Sequence, residues 1–175
     1  MAAIDLIVLG MLKKQPLSAY DIQKLVDYRN ISKWVKISTP SIYKKVIQLE
    51  EKGLLQSVSV RENNMPEKAV YSLTARGEQE FERLMRELAA QPIRIFLDFN
   101  AVIVNLDSLP PEMQSACIDS IEIQIRELKS YLKKNLREKE NVPEVPETGM
   151  AVLRQQMALA DAIENWIVSL KEKFA

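Results

Sequence analysis

The sequence predicts a mainly α-helical protein that carries one small β-hairpin. Only four glycines stand against many leucines, isoleucines, lysines and glutamates, a composition that favours helices. Apolar residues recur at steps of three and four through most of the chain, which is the helical period. Two valine-rich stretches, 54–60 and 69–73, depart from this period and favour strands. A helical chain with a single hairpin is therefore the starting prediction.

The composition argues against several functional classes. The chain has no histidine and a single cysteine, Cys117, which removes the common zinc sites, histidine-based acid–base catalysis and intrachain disulfides. Its four glycines are isolated, so the sequence contains no glycine-rich phosphate loop. We therefore expect no enzyme activity, no metal and no cofactor, although catalysis by carboxylates alone stays open.

Two apolar runs raise the question of a membrane segment. The N-terminal run contains Asp5 and lacks both a positive n-region and a clear cleavage site, so it is not typical of a signal peptide. The run from 93 to 106 contains Arg94 and Asp98 and is too short to span a bilayer. These features predict a soluble, cytoplasmic protein without a membrane partner.

Charge is distributed unevenly although the net charge is zero. Residues 13–61 carry 10 basic and 4 acidic side chains. A polyanion such as DNA would bind to this basic segment if it binds at all. Charge alone does not distinguish such a site from an ordinary solvated surface.

The first two helices are predicted from their breaks and caps. One helix covers about 4–14, where Gln15-Pro16 ends it. Ser18 then has the character of an N-cap, with Asp21 three residues later, and opens a second helix that extends to about Tyr28.

The third helix has the clearest signals. Ser38 or Thr39 can cap it, Pro40 suits its first turn, and Gly53 suits the position just after its end. At about 100° per residue, its polar residues fall on one half of the helix and its apolar residues on the other. The polar half contains Ser41, Lys44, Lys45, Gln48, Glu51 and Lys52, and the apolar half contains Ile42, Tyr43, Val46, Ile47 and Leu49. The lysines are therefore expected on a face that the core does not use.

The segment after Gly53 predicts a hairpin and an exit helix. Strands at 54–60 and 69–73 are separated by residues that suit a hairpin tip, Asn63-Asn64 and Pro66. Thr74 then caps a fourth helix that ends before Pro92. Three helices, a hairpin and an exit helix are the order of a winged helix-turn-helix, here assigned to residues 1–91.

Residues 92–175 are predicted to form a helical dimerisation domain. The stretch 92–106 is apolar on nearly every side, so we expect a helix enclosed by neighbours. Two longer helices follow, separated by a proline-marked linker at 141–149, and each has an apolar stripe. Such stripes occur inside bundles and between chains alike, and their length here favours a homodimer. The expected dimer contacts are Ile121, Ile125, Leu128, Ile163, Ile167 and Leu170.

Three stretches resemble the PadR family of transcriptional regulators. They are "IVLGMLKKQPLSAYDI", "TPSIYKKVIQLEEKGLL" and "VYSLTARGEQEF", and their order and spacing are more specific than any one alone. The resemblance extends over essentially the whole chain and includes the subgroup with the larger helical C-terminal domain. It implies a dimeric DNA-binding regulator, usually a repressor and often released by a small molecule. Wing tips of this family tend to be basic, whereas here Arg61 and Lys68 flank Glu62 and Glu67.

The polar half of the third helix supplies the candidates for contact with double-stranded DNA. Side chains near the start of a recognition helix reach base edges, and surrounding groups bind phosphates. The predicted base-facing residues are Ser41, Lys44, Lys45 and Gln48, and the predicted phosphate contacts are Thr39, Lys33, Lys36, Tyr20, Arg61 and Lys68. Each lysine alone could equally be a solvated side chain, whereas the set favours DNA.

Two further hypotheses concern ligands and partners. Phe96, Phe99 and Trp166 could line a pocket at the dimer interface for a small hydrophobic effector, although packing inside a helical bundle explains them as well. A winged helix that binds a protein partner without binding DNA is the alternative function, and the pI of about 6.4 fits it.

Overall fold

The computed structural model describes residues 2–61, 67–143 and 145–174. The chain divides into two compact units, Met1–Ile93 and Arg94–Ala175, which we call the N-unit and the C-unit. Within the described residues, no helix is both long and apolar enough to cross a membrane.

The N-unit is a winged helix-turn-helix with a three-stranded antiparallel sheet. Its elements in chain order are α1 (Ala2–Leu12), β1 (Leu17–Ser18), α2 (Ala19–Tyr28), a 3-10 turn (Ile31–Lys33), α3 (Ser41–Glu51), β2 (Leu55–Val60), β3 (Lys68–Leu73) and α4 (Ala75–Ala89). The order of strands in the sheet is β1-β3-β2. The predicted hairpin is β2 and β3, while β1 is an additional strand that pairs Leu17 with Tyr71.

Apolar residues from every helix of the N-unit meet in one core. Its fully enclosed members come mainly from α1, α2 and α3, and Trp34 packs against its edge as the loop anchor that its position suggests. The most deeply buried are Val8, Leu9, Ile22, Val26, Ile42, Val46 and Leu49. Because three helices contribute, the orientation of α3 is fixed by contacts on its inner side.

The junction between α3, β2 and α4 is held by backbone contacts that fit small residues. Gly53 has φ of 69°, and the amides of Gly53 and Leu54 donate to the carbonyls of Glu50 and Leu49, which ends α3. Thr74 accepts a hydrogen bond from the Gly77 amide at 3.0 Å and donates to the Gly53 carbonyl at 2.8 Å. A Cβ atom on Gly77 would lie 2.1 Å from the Leu54 carbonyl oxygen, so this position requires glycine.

The C-unit is built on two long helices. A short helix α5 (Asn100–Ile103) and a 3-10 turn (Leu106–Ser108) lead into α6 (Pro111–Lys139), and α7 (Glu147–Phe174) follows. Buried residues of α6 and α7 share a core with Leu106. Lys129 pairs with Asp161 and Glu164, and Lys171 pairs with Asp119 and Glu122, so ion pairs flank the apolar contact between the helices.

The prediction of an enclosed helix over 92–106 is wrong. Residues 93–98 are not helical, only Asn100–Ile103 form an α-helix, and Phe96 is 81% exposed. A helix that is apolar on every side is stable only inside a shell of neighbours. The two long helices bury Leu106 but do not supply such a shell for the residues before it.

The apolar stripes of α6 and α7 are used within the chain, in part against expectation. Ile125, Ile167 and Leu170 were predicted to contact a second copy, but they are buried between the two helices. Ile121 and Ile163 are half-buried, and Leu128 is 45% exposed. The stripe residues that face the other helix are buried within the chain, because packing two helices together buries one side of each.

Candidate nucleic-acid interface

The helix-turn-helix pair begins with a well-formed cap. The Ser18 hydroxyl accepts a hydrogen bond from the Asp21 amide at 3.2 Å and donates to Asp21 Oδ2 at 2.6 Å. Hydrogen bonds from Ser18 lower the pKa of Asp21, with smaller contributions from the charges of Lys68 and Lys24. The predicted capping box is confirmed, and it fixes the start of α2 beside the sheet.

The start of α3 differs from the prediction. Within the described residues, no side chain caps the helix; the carbonyls of Ser38 and Thr39 accept hydrogen bonds from the first amides instead. Pro40 itself occupies the cap position and has no side chain that can accept a hydrogen bond. The Thr39 hydroxyl donates to Asp27 Oδ1 at 3.0 Å, which ties the turn to α2.

The exposed side of α3 is broader than a half-wheel division suggests. The helix buries Ile42, Val46 and Leu49, whereas Tyr43 is 44% and Ile47 is 49% exposed. The apolar half of the wheel predicts a core position for Ile47, which is wrong; Tyr43 lies at the edge of that half and was ambiguous, and the core role favoured for it is not observed. Three buried residues are enough to pack this short helix against the core, so the apolar residues on either side of them remain exposed to solvent. Sequence reasoning therefore missed two apolar side chains that lie beside Lys44.

The predicted polar residues of α3 have different environments. Lys44 is exposed, whereas Ser41 and Gln48 are half-buried. The Ser41 hydroxyl donates to the Ser38 carbonyl. Lys44 therefore places an exposed positive charge near the centre of this side.

Lys45 requires a correction. It was expected on the exposed face, but its side chain is only 11% exposed and its Nζ lies 2.8 Å from Asp5 Oδ1 in α1. The helical wheel places Lys45 at the border of the buried stripe, where the neighbouring α1 offers a carboxylate. Its charge is thus neutralised inside the N-unit, and α3 offers DNA one lysine fewer than predicted.

Other predicted phosphate contacts surround α3. Lys33 and Lys36 are exposed in the connection between α2 and α3. Tyr20 is exposed at the start of α2, where the ammonium of Lys24 lies 4.5 Å from its ring centroid. Lys24 is a further exposed cation that the sequence analysis did not single out, although its position four residues after Tyr20 places both on one face of α2.

The wing is described up to its tip. β2 and β3 pair from Leu55–Leu73 to Val60–Lys68, and Arg61 is exposed just beyond β2. Lys68 is half-buried at the start of β3, close enough to Asp21 to affect its pKa. The predicted turn residues, Asn63-Asn64 and Pro66, lie outside the described residues, as does Glu62.

The predicted effector residues are brought together in part. Phe99 and Trp166 stack with ring centroids 6.0 Å apart. Phe99 also lines an open groove of about 410 Å³ in the C-unit. The other residues of this groove are Leu97, Ser120, Ile121, Gln124, Ile125, Leu128 and Ile163. Phe96 does not line this groove and is exposed in the single chain, so its predicted role at a dimer interface stays a prediction.

The geometry can be compared with known proteins. Residues 8–83 match the Transcriptional regulator PadR-like family. The sequence matches none of the curated proteins. The chain is similar to the crystal structure of Bacillus subtilis PadR in complex with operator DNA, with a TM-score of 0.83, 21% identity and 99% of each chain covered.

Two other solved structures give the same fold. Bacillus subtilis PadR in complex with p-coumaric acid has a TM-score of 0.76 and 20% identity, over 95% of this chain and 92% of that chain. The Vibrio cholerae virulence activator AphA has a TM-score of 0.71 and 19% identity, over 97% of this chain and 96% of that chain. At these identities the likeness shows a common fold.

Proposed function

Because residues 8–83 match the PadR-like family of transcriptional regulators, we propose that this protein binds double-stranded DNA in a sequence-specific manner. The observation that carries the proposal is the exposed side of α3, where Lys44 is exposed and the exposed Lys33 and Lys36 flank the helix. In this proposal residues 1–91 are the DNA-binding domain and 92–175 the dimerisation domain. A cytoplasmic location is part of the same proposal.

The recognition helix α3 enters the major groove in this proposal. Lys44 donates to guanine acceptors, Gln48 can pair with adenine, and Ser41 approaches a base edge after its hydroxyl leaves the Ser38 carbonyl. Lys33, Lys36 and the Tyr20 hydroxyl bind phosphates on either side of the groove. The Thr39 hydroxyl donates to Asp27, so Thr39 contributes to phosphate binding by positioning the start of α3. At the wing, Arg61 is exposed and contacts the adjacent phosphates in this proposal.

A homodimer supplies the second recognition helix. Exposed apolar side chains on the C-unit, such as Leu128 and Val104, are the kind of surface that a second copy covers. Ile121, Leu128 and Ile163 contribute directly to this contact, while Ile125, Ile167 and Leu170 support it from the interior. Two copies related by a twofold axis read half-sites about 34 Å apart, one turn of B-DNA.

A small hydrophobic effector is proposed to bind the groove of the C-unit. Its lining is apolar except for Ser120 and Gln124, which suits an aromatic molecule with a few polar groups. The complex of Bacillus subtilis PadR with p-coumaric acid supports this class of ligand. Repression relieved by such a ligand is the proposed mode of regulation.

An interaction module that binds a protein partner is the second candidate. It is favoured by Tyr43 and Ile47, whose exposed apolar surface on α3 would also suit a protein groove. Under this alternative the cations around α3 are ordinary solvated side chains, and DNA binding is absent.

Footprinting of the purified protein on the DNA upstream of its own coding sequence tests the proposal. We expect protection of two half-sites about one helical turn apart, and binding that weakens as salt increases. Unrelated DNA of the same length is the control. Equal affinity for both DNAs would overturn sequence-specific recognition, and no affinity for either would support the protein-interaction module instead.

A further inference from the structure

The ion pair between Asp5 and Lys45 links α1 to the recognition helix. The Asp5 side chain is 18% exposed, and the distance from its Oδ1 atom to Lys45 Nζ is 2.8 Å. This buried oxygen accepts no hydrogen bond of good geometry from the described residues. The ammonium of Lys45 is therefore the group that balances the carboxylate charge, by proximity more than by a well-aligned hydrogen bond.

The position of Lys45 makes this pairing relevant to DNA. Lys45 lies four residues after Ser41 and three before Gln48, so the three side chains originate from one stripe of α3. Ser41 and Gln48 are two of the proposed base-facing residues. A lysine side chain at this position is long enough to extend along the stripe, but in the structure its ammonium is held against α1 instead.

We propose that Asp5 is a specificity-determining residue that withholds Lys45 from DNA. The inference rests on the proposed function of α3. Each lysine that neutralises a phosphate strengthens binding to every DNA sequence, because the gain comes from counterion release and not from base contacts. By pairing with Lys45, Asp5 lowers this sequence-independent part of the binding free energy and leaves the base contacts of Lys44 and Gln48 to discriminate between sequences.

A purely structural role is the competing explanation. Partly buried ion pairs contribute little net stability, because desolvation of both charges offsets their attraction. A structural role would change the folding stability of the N-unit but leave the salt dependence of DNA binding unaltered. Loss of the ion pair can lower the melting temperature under either explanation. The salt dependence of DNA binding is therefore the measurement that distinguishes them.

The first test compares wild type, Asp5→Asn and the double variant Asp5→Asn/Lys45→Gln. Binding to the footprinted operator and to random-sequence DNA is measured by fluorescence anisotropy over a range of salt concentrations. We expect Asp5→Asn to bind random DNA several-fold more tightly and to steepen the log–log salt slope by about 0.9 for each protomer. The double variant should return to the wild-type slope. An unchanged slope in Asp5→Asn would overturn the proposal.

The second test does not depend on the folding of the Asp5 variant. Lys45→Gln alone should leave the salt slope of the otherwise wild-type protein unchanged, because the withheld lysine makes no phosphate contact. A flatter slope in Lys45→Gln would show that Lys45 already contacts DNA and would overturn the proposal. Failure of the proposed function itself is distinguishable, because wild type would then bind neither DNA.

Discussion

The N-unit and the C-unit leave different kinds of apolar surface uncovered. In the N-unit, α1, α2 and α3 close around a shared core, and the exposed apolar residues of α3 lie beside Lys44. In the C-unit, two long helices bury one side of each other, and many apolar residues remain outside, including Val104 and Ile123. Two packed helices alone therefore do not bury all the apolar side chains of the C-unit. We infer that a second copy covers the C-unit and that DNA covers α3.

The largest expected effect follows from placing a charge on the uncovered side of the C-unit. Leu128→Asp should convert the proposed dimer to a monomer, because a carboxylate would have to be buried at an apolar contact. Operator affinity should then fall roughly 100-fold or more, since two linked recognition helices bind together more tightly than one. Light scattering after size exclusion measures the mass, and anisotropy measures the affinity.

Ser130→Asp is the matched control, since it introduces the same charge at another exposed position of α6. It should remain dimeric and bind DNA as wild type does. A dimer of unchanged mass in Leu128→Asp would remove the argument that this face is the contact between copies.

Glycine substitutions sharpen the contrast in internal packing between the two units. Gly77→Ala should lower the free energy of unfolding of the N-unit by about 1–3 kcal/mol, because the added Cβ overlaps the Leu54 carbonyl. Gly149→Ala should be neutral or stabilise the C-unit by up to about 1 kcal/mol, because its Cβ would meet only ordinary contacts in a helix.

Each unit contains one tryptophan, which allows the two effects to be separated. Urea unfolding of a Trp166→Phe background reports the N-unit through Trp34, and a Trp34→Phe background reports the C-unit through Trp166. Equal, small effects of the two glycine substitutions would contradict the close approach of α4 to Leu54.

A substitution on the apolar surface of α3 should have a smaller effect. It tests whether this surface contacts DNA or a second copy of the chain. Ile47→Ser should weaken operator binding by about 1 kcal/mol without changing the dimer mass, because Ile47 would lose contact with a thymine methyl group. Operators in which single thymines are replaced by deoxyuridine measure this contact. One such replacement should weaken operator binding by wild type but not by Ile47→Ser. An equal loss in both proteins would argue against a contact between Ile47 and the thymine methyl group.

The sequence predicted most of the local features correctly, because their signals are local. Ser18 with Asp21, Gly53 after α3 and Thr74 before α4 each specify a helix end through neighbouring backbone groups, and the structure confirms all three. The family resemblance was confirmed over residues 8–83 as well. The Ser38 or Thr39 cap did not form: Pro40 occupies the cap position, and the Thr39 hydroxyl donates to Asp27 of α2 instead.

Features that depend on distant residues were not predictable from the pattern. Lys45 is polar on a helical wheel, but Asp5, forty residues earlier, determines where its charge lies. The strand β1 has two residues and is recognisable only from its pairing with β3. Likewise, the apolar stretch 93–98 has the composition of a buried helix, yet its conformation depends on which neighbours are present.

The salt dependence of operator binding by Lys44→Gln tests the central claim most directly. Lys133→Gln is the control, because it removes the same charge from an exposed position on α6. We predict that Lys44→Gln weakens binding and flattens the log–log salt slope by about 0.9 for each protomer, while Lys133→Gln leaves it unchanged. A wild-type slope in Lys44→Gln, with operator binding intact, would contradict the assignment of the exposed side of α3 as the surface that meets DNA.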